Sequence, residues 1–346
     1  MMVRSSWRLA KVALYFAKRA GVIDFRQKCG LSGANDTNLL IRFVTLHLSL
    51  PLILLFITQQ MTQNDVTPII AYQGHQGAYS HLSCQRVFPN FEAHACMTFS
   101  AAMAMVERGE ADIAMIPVEN STAGRVEEIY RKLPHTSLYV IGEHYEPVNH
   151  CLLGLKNSSI TQIKTVGSHP QALAQCDKRL TQLNIQPMAT LDTAGAALEV
   201  SQKCDPSHGA IASSLAAELY DLDILQENFQ DVQGNTTRFL ILSREHKIPT
   251  KVTDQKYITS FLFTVRNIPS ALYKAMGGMA TNNVNLIKLE SYTPDGRMVA
   301  TQFHIDVEAH PKDANMILAM DELAYFAKDI RMLGTYAASD YRYLNV

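Results

Sequence analysis

A chain of 346 residues, 47 % hydrophobic and 18 % charged, carries enough apolar material for two or three separate cores, which excludes a disordered or fibrous polymer. A formal net charge of −1 gives no electrostatic reason to expect nucleic acid as a partner. The six cysteines (Cys29, Cys84, Cys96, Cys151, Cys176, Cys204) form no CxxC pair and join no histidine at zinc-finger spacing, so they read as reduced thiols of a cytoplasmic protein, and no metal site is expected.

Residues 1–60 are basic, with Arg4, Arg8, Lys11, Lys18, Arg19, Arg26, Lys28 and Arg42 against Asp24 and Asp36. The apolar run 38–57 is long enough to tempt a membrane reading, but Arg42, His47 and Pro51 interrupt it. "TQQMTQ" after it lacks a small-residue cleavage pattern. Met61 looks like a natural start, so 1–60 are expected to be a basic, apolar extension, dispensable or foreign to the native chain. Membrane anchoring and a packed regulatory element are the alternatives; no membrane contact is expected of the main body.

From Thr67 short apolar runs alternate with helical patterns. "IIAYQ" predicts a buried strand and "GAYSHLSCQRVF" a helix; "SAAMAMVERGE" predicts a helix capped by Ser100, and "ADIAMIPV" a second strand. "GRVEEIYRKL" follows as helix and "SLYVIGEHYE" as strand. A second series begins near Val148: strands "VNHCLLGL" and "IKTVG", a helix "PQALAQCDKRL" capped by Ser168, strand "IQPMAT", a helix capped by Asp192 or Thr193, strand "GAIAS" and helix "SLAAELY". The alternation predicts α/β layers around mostly parallel sheets, in two lobes: 67–147 with about 225–245, and 148–224. A polar linker is expected over 246–256. Residues 257–340 read as β-α-β-β-α-β, a ferredoxin-like unit, with a hairpin turn at Asp295-Gly296.

Folds of this kind bind ligands at the carboxyl ends of strands, in the crevice between lobes. "PVENSTAGRV" places Asn120 and Ser121 at one such end; "GSHPQALAQC" places Ser168, His169 and Gln171 at another. "GNTTRF" adds Thr237, Arg238 and Phe239 where the chain recrosses. "GHQGAYS" puts Gly77 and Ala78 at a strand-to-helix turn, either as plain geometry or as a backbone cradle for a carboxylate. The two polar mouths suggest a small anionic ligand held between lobes.

"YQGHQGAYSH", "IPVENSTAGRV", "GSHPQALAQC", "AIASSLAAELYDL" and "FQDVQGNTTRFLIL", in this order, resemble the prephenate dehydratase family over about 68–245. "IPSALYKAM" and "NLIKLESYTP" resemble, more loosely, the ACT regulatory domain that often follows it. The resemblance implies a two-lobed, periplasmic-binding-protein-like catalytic domain. It implies decarboxylative dehydration of prephenate to phenylpyruvate in phenylalanine biosynthesis, without cofactor or metal. Thr237 matches the expected catalytic hydroxyl. Arg238 would pair with a substrate carboxylate, and Phe239, Asn120, Ser121, Ser168, His169, Gln171, Gly77 and Ala78 would line the cleft. Feedback by phenylalanine would act through Ala271, Leu272, Glu290 and Ser291 at an interface of a homodimer or homotetramer. Two departures weaken that last expectation: Ser270 stands where the family pattern has glycine, and Tyr292 where it has arginine. Arogenate dehydratase is the alternative activity, and a non-catalytic two-lobed binding protein the alternative class.

Overall fold

The computed structural model describes residues 67–344 apart from 267 and 294–300. The expected N-terminal extension and the Asp295-Gly296 turn lie outside the described residues. No helix among the described residues is long and apolar enough to cross a membrane.

The first sheet begins with β1 (Ile69–Gln73), helix α1 (Tyr79–Val87), β2 (Glu92–Cys96), α2 (Phe99–Arg108) and β3 (Ile113–Asn120). A two-residue β4 (Gly124–Arg125), α3 (Glu127–Lys132) and β5 (Tyr139–Pro147) follow. The chain then builds a second sheet from β6 (Cys151–Gly154), β7 (Thr165–Ser168), helices α4 (Pro170–Ala174) and α5 (Asp177–Gln182), β8 (Gln186–Ala189), α6 (Thr193–Lys203), β9 (His208–Ala212), α7 (Ser214–Leu219) and β10 (Asp223–Gln226). It returns to the first sheet as β11 (Thr236–Ser243). The strand order is β2-β1-β3-β11-β5 in one lobe and β10-β6-β9-β7-β8 in the other.

Each sheet is mixed rather than mostly parallel. β1, β2 and β3 run parallel, whereas the returning strand β11 lies antiparallel between β3 and β5. A strand that recrosses from the other lobe enters from the carboxyl end of its neighbours, so it runs against them. The last unit is β12 (Tyr257–Val265), α8 (Ala271–Thr281), β13 (Asn285–Tyr292), β14 (Gln302–Glu308), α9 (Ala314–Phe326) and β15 (Ala327–Ala337). Its order β13-β14-β12-β15 and antiparallel ladders are those of a ferredoxin-like sheet.

Alternation along β11 decides what it touches. Leu240 and Leu242 enter a core shared with Ile116, Val118 and Val140 of the first sheet and Ile258, Leu262, Leu333 and Tyr336 of the C-terminal sheet. Phe239 and Ile241 point the other way, into a core with Ile70, Tyr72 and Met115. Each fully buried aliphatic side chain in such a core contributes about 1.5–3 kcal/mol, so the C-terminal sheet is firmly held on the back of the first one.

Two expected caps differ. Thr98, not Ser100, caps α2 by accepting from Ala101 N at 3.1 Å. His169, not Ser168, caps α4, its Nδ1 accepting from Gln171 N at 3.2 Å. Asp192 caps α6 as one of the two expected residues, through Gly195 N at 2.6 Å. Ser270 precedes α8 with φ +57, the left-handed region that favours the glycine expected there.

Candidate active site

Thr237 opens the functional face of β11, half-buried where the two lobes meet. Its register partner on β3 is Asn120. Ala114, Ile116 and Val118 of β3 all enter the core behind the sheet, and strict alternation would send Asn120 there too. The register slips by one residue between Arg238 and Phe239, leaving Val118 as an extra residue in β3. That bulge re-aims Asn120 to the front, a recurrent use of bulges beside functional sites.

Asn120 Nδ2 donates to Thr237 Oγ1 at 3.0 Å and to Asn235 Oδ1 at 2.7 Å. Its orientation is fixed, because Oδ1 accepts from the backbone amides of Thr122 at 3.1 Å and Ala123 at 3.0 Å. Backbone N–H groups have no choice of role. Thr237 Oγ1 is therefore an acceptor toward Asn120, and its own proton is free to point into the cleft.

The second lobe closes on this pair. Gln171 Nε2 donates to Asn120 Oδ1 at 3.3 Å, and Gln175 Nε2 to Thr122 Oγ1 at 2.8 Å. Asn235 Nδ2 donates to Gln175 Oε1 at 2.9 Å, an oxygen that also faces His150 Nε2 at 2.9 Å. His150 Nδ1 meets Tyr79 OH at 2.9 Å. Burial lowers the His150 pKa, so the neutral ring is the stable form, with Nε2–H donating to Gln175 and Nδ1 sharing the Tyr79 proton with Asn149 O, to which that hydroxyl donates at 2.9 Å. Ser121 ties the same corner from its backbone: Thr236 N donates to Ser121 Oγ at 2.9 Å, and Ser121 N to Thr236 O at 2.9 Å. His169 is exposed beside Gln171, its Nδ1 accepting the cap bond.

Five of the expected site residues are placed differently. Arg238 is turned to the back of the sheet with its side chain 7 % exposed. Its guanidinium bonds Glu143 at 2.9 Å, Glu119 at 3.2 Å, Asp306 at 3.4 Å and Tyr336 OH at 3.0 Å. Burial alone would lower its pKa, yet Tyr336, Asp306 and Glu143 raise it well above the ordinary arginine value. Period-two alternation puts Arg238 opposite Thr237, so both cannot face one ligand. Phe239 is buried in the core with Tyr72 and Met115 and lines no cleft. Ser168 is fully buried and donates to Ile211 O at 2.6 Å.

Gly77, with φ +88, has both polar backbone atoms occupied: its N–H donates to His81 Nδ1 at 3.0 Å and its carbonyl accepts from Ser213 Oγ at 2.5 Å. A Cβ there would lie 2.9 Å from Ala216 Cα, so the glycine serves close approach of the lobes rather than a carboxylate. Ala78 is buried and its N–H closes the same turn onto His75 O at 3.1 Å. His75 Nδ1 and Asp192 Oδ2, 2.5 Å apart, pair the lobes on this side as well.

Asn235, Gln175 and His150 were not singled out from sequence as site residues, whereas Thr122 belongs to the polar cluster read at the end of β3. Asn235 stands inside "GNTTRF" beside residues that were, which was the available signal. Gln175 stands inside "GSHPQALAQC", but its partners, like those of His150, are far away in the chain.

The prephenate dehydratase family model matches residues 70–247. The "Bifunctional N-acyl-homoserine lactone acylase/prephenate dehydratase" of Komagataeibacter europaeus is 44 % identical over 274 residues, covering 79 % of this chain and 97 % of that protein. "Arogenate dehydratase/prephenate dehydratase 1, chloroplastic" of Arabidopsis thaliana is 42 % identical over 281 residues, 77 % of this chain and 71 % of that one. Among solved structures, the prephenate dehydratase of Arthrobacter aurescens in complex with L-Phe superposes with a TM-score of 0.72 at 26 % identity, covering 79 % of this chain and 90 % of that one. A matched family model that spans the whole two-lobed unit, and a relative this similar over nearly its full length, place the chain in the prephenate dehydratase family.

Proposed function

We propose that the chain converts prephenate to phenylpyruvate at the junction of Asn120 and Thr237, with the Thr237 hydroxyl as proton donor. The observation that carries this reading is the bond from Asn120 Nδ2 to Thr237 Oγ1, which leaves the threonine proton free to donate. The C–C bond to the ring carboxylate breaks, its electron pair enters the ring, and the ring C–O bond breaks toward oxygen. With one proton, passed through the Thr237 hydroxyl and restored to it from solvent, the leaving hydroxide becomes water, so the prephenate dianion and one proton give phenylpyruvate, carbon dioxide and water. Aromatisation drives the step, and the chain's task is to hold the dianion and supply that proton. A threonine is too weak an acid to protonate a free alcohol, so it acts as a positioned donor whose proton moves as charge develops on the leaving oxygen.

Polar side chains from both lobes hold the substrate. Gln171 from one lobe and Ser121 from the other stand at the Thr237 corner, His169 caps the helix that carries Gln171, and Arg238 supplies the frame behind it. The Komagataeibacter relative is also named for acylase activity. Acyl transfer needs an activated nucleophile, and the group bonded to Thr237 Oγ1 is an amide donor, not a base. Arogenate differs from prephenate only in the side chain beyond the ring, which the Thr237 corner does not distinguish.

Residues 67–245 are proposed as the catalytic domain, 246–256 as linker and 257–340 as an ACT-type regulatory domain. Phenylalanine would act there through Ala271, Leu272, Glu290 and Ser291. The Arthrobacter protein, crystallised with L-Phe, supports that reading. Ile287 and Leu289 are exposed on β13, as an interface of a dimer or tetramer would require. The proposed location is the cytoplasm, in keeping with the free, buried thiols of Cys84, Cys96, Cys151 and Cys176. Phenylpyruvate formation from prephenate and phenylalanine formation from arogenate, measured side by side with and without phenylalanine, test the activity and its feedback. Turnover of neither substrate would overturn the proposal.

A further inference from the structure

We propose that the C-terminal segment 339–343 sets the position of the catalytic hydroxyl, with Tyr341 as a positioning residue that acts through Thr236. This rests on the reading of Thr237 as proton donor.

The segment follows β15 and returns to the start of β11. Tyr341 OH donates to Thr236 Oγ1 at 2.9 Å, a contact made across 105 residues and landing on the neighbour of Thr237. The Tyr341 ring stacks on Tyr145 with centroids 4.7 Å apart and planes 20° from parallel. Tyr145 is the register partner of Arg238 on β5. Arg342 clamps Glu143 with Nε and a terminal nitrogen, each at 2.6 Å, and Ser339 N donates to the same carboxylate at 3.1 Å. That carboxylate is fully buried and also receives Arg238 Nε at 2.9 Å. A bidentate clamp on a buried carboxylate is among the stiffer anchors a protein can make. The segment is therefore fixed at Glu143, and Tyr341 is held flat while its hydroxyl reaches Thr236.

Thr236 is otherwise gripped through its backbone by Ser121, and its hydroxyl, which accepts from Tyr341, donates to Gly234 O at 3.4 Å. β11 lies inside its sheet with both ladders made, so the tyrosine adds nothing to strand pairing. What it fixes is the Thr236 side chain, on the face opposite Thr237, at the strand's first residue. Fraying of that residue would swing Thr237 away from Asn120. A catalytic group displaced by a fraction of an ångström loses rate while substrate binding, made by other groups, persists.

The test compares wild type, Tyr341→Phe, Thr236→Val and the double variant in the full chain, with kcat and KM for prephenate and a melting temperature for each. Tyr341→Phe removes one hydroxyl and keeps the stacking. The expected result is a fall in kcat of about three- to tenfold, from the worth of one hydrogen bond, with KM within about twofold and melting unchanged. In the Thr236→Val background the same substitution is expected to change kcat by no more than about 1.5-fold, because its partner is gone. Tyr343→Phe, at the exposed end of the segment, is expected to match wild type. Unchanged kcat in Tyr341→Phe, or an equal loss in both backgrounds, would overturn the inference. A parallel Thr237→Ala variant separates the two readings: if it is inactive while Tyr341→Phe is fully active, only the positioning role fails; if it is active, the reading of Thr237 fails and the inference with it.

Discussion

Replacing Asn120 by aspartate exchanges one NH2 for an oxygen and keeps the shape. One carboxylate oxygen can still accept from the Thr122 and Ala123 amides, as the asparagine oxygen does at 3.1 and 3.0 Å. The other would face Thr237 Oγ1 at 3.0 Å and Asn235 Oδ1 at 2.7 Å. The threonine proton then turns to the carboxylate and away from substrate. A hydrogen bond to a charged group contributes about 1.5–3 kcal/mol, and it must be given up before the proton can reach the leaving oxygen. That lowers kcat by roughly 10- to 150-fold. Asn235 must also flip to escape the oxygen, which breaks its bond to Gln175 Oε1. Asn120→Ala loses the same positioning but leaves the hydroxyl proton free, so its kcat should lie between wild type and Asn120→Asp. Lowering the pH toward the aspartate pKa should restore a donor and raise kcat in Asn120→Asp only. Steady-state phenylpyruvate formation across pH measures all three. An Asn120→Asp enzyme faster than Asn120→Ala would refute the claim that Thr237 donates its proton.

Arg238→Met should be a stability variant: it takes one cation from the buried Glu143 and Asp306, which keep Arg342 and His304 respectively, so the loss should fall below the ~3–5 kcal/mol of a wholly unpaired buried charge, seen in chemical denaturation rather than as a specific rise in KM. Gly77→Ala should cost about 1–3 kcal/mol by combining a positive φ with a close contact to Ala216, and an unchanged melting temperature would argue against direct lobe contact there. For His150, burial lowers the folded-state pKa below 6.5. The unfolded chain therefore takes up its proton first as pH falls below about 6.5. Stability is fully present above that pH and declines until the folded pKa is passed. Burial also lowers His81 and His208, so the diagnostic is a smaller acid loss of melting temperature in His150→Gln than in wild type.

Much of the fold was legible because each strand-to-helix switch carried its own punctuation, as at "GSHPQ" and "LDTAG". The direction of β11 was not, since alternating patterns fix layers but not the side from which a returning strand enters. Thr237 and Asn120 were readable as polar residues at strand ends. Arg238 was misread although the rule that corrects it is local: neighbours on a strand face opposite ways, and the apolar Leu240 and Leu242 mark the buried side. The aim of Asn120 depends on a bulge at Val118 that only the pairing of β3 with β11 reveals. Asn235 and Gln175 are single amides whose partners lie across the lobes, and the C-terminal segment has no motif at all. Residues whose role is defined by distant partners leave no periodic trace in a single sequence.

The turnover of prephenate by Thr237→Ala, with Thr237→Ser beside it, tests the central claim most directly. The account predicts that alanine lowers kcat by about 10²–10³-fold, the usual cost of one positioned donor in a transition state, with KM nearly unchanged, and that serine recovers most of the loss. A Thr237→Ala enzyme that forms phenylpyruvate at the wild-type rate would contradict it.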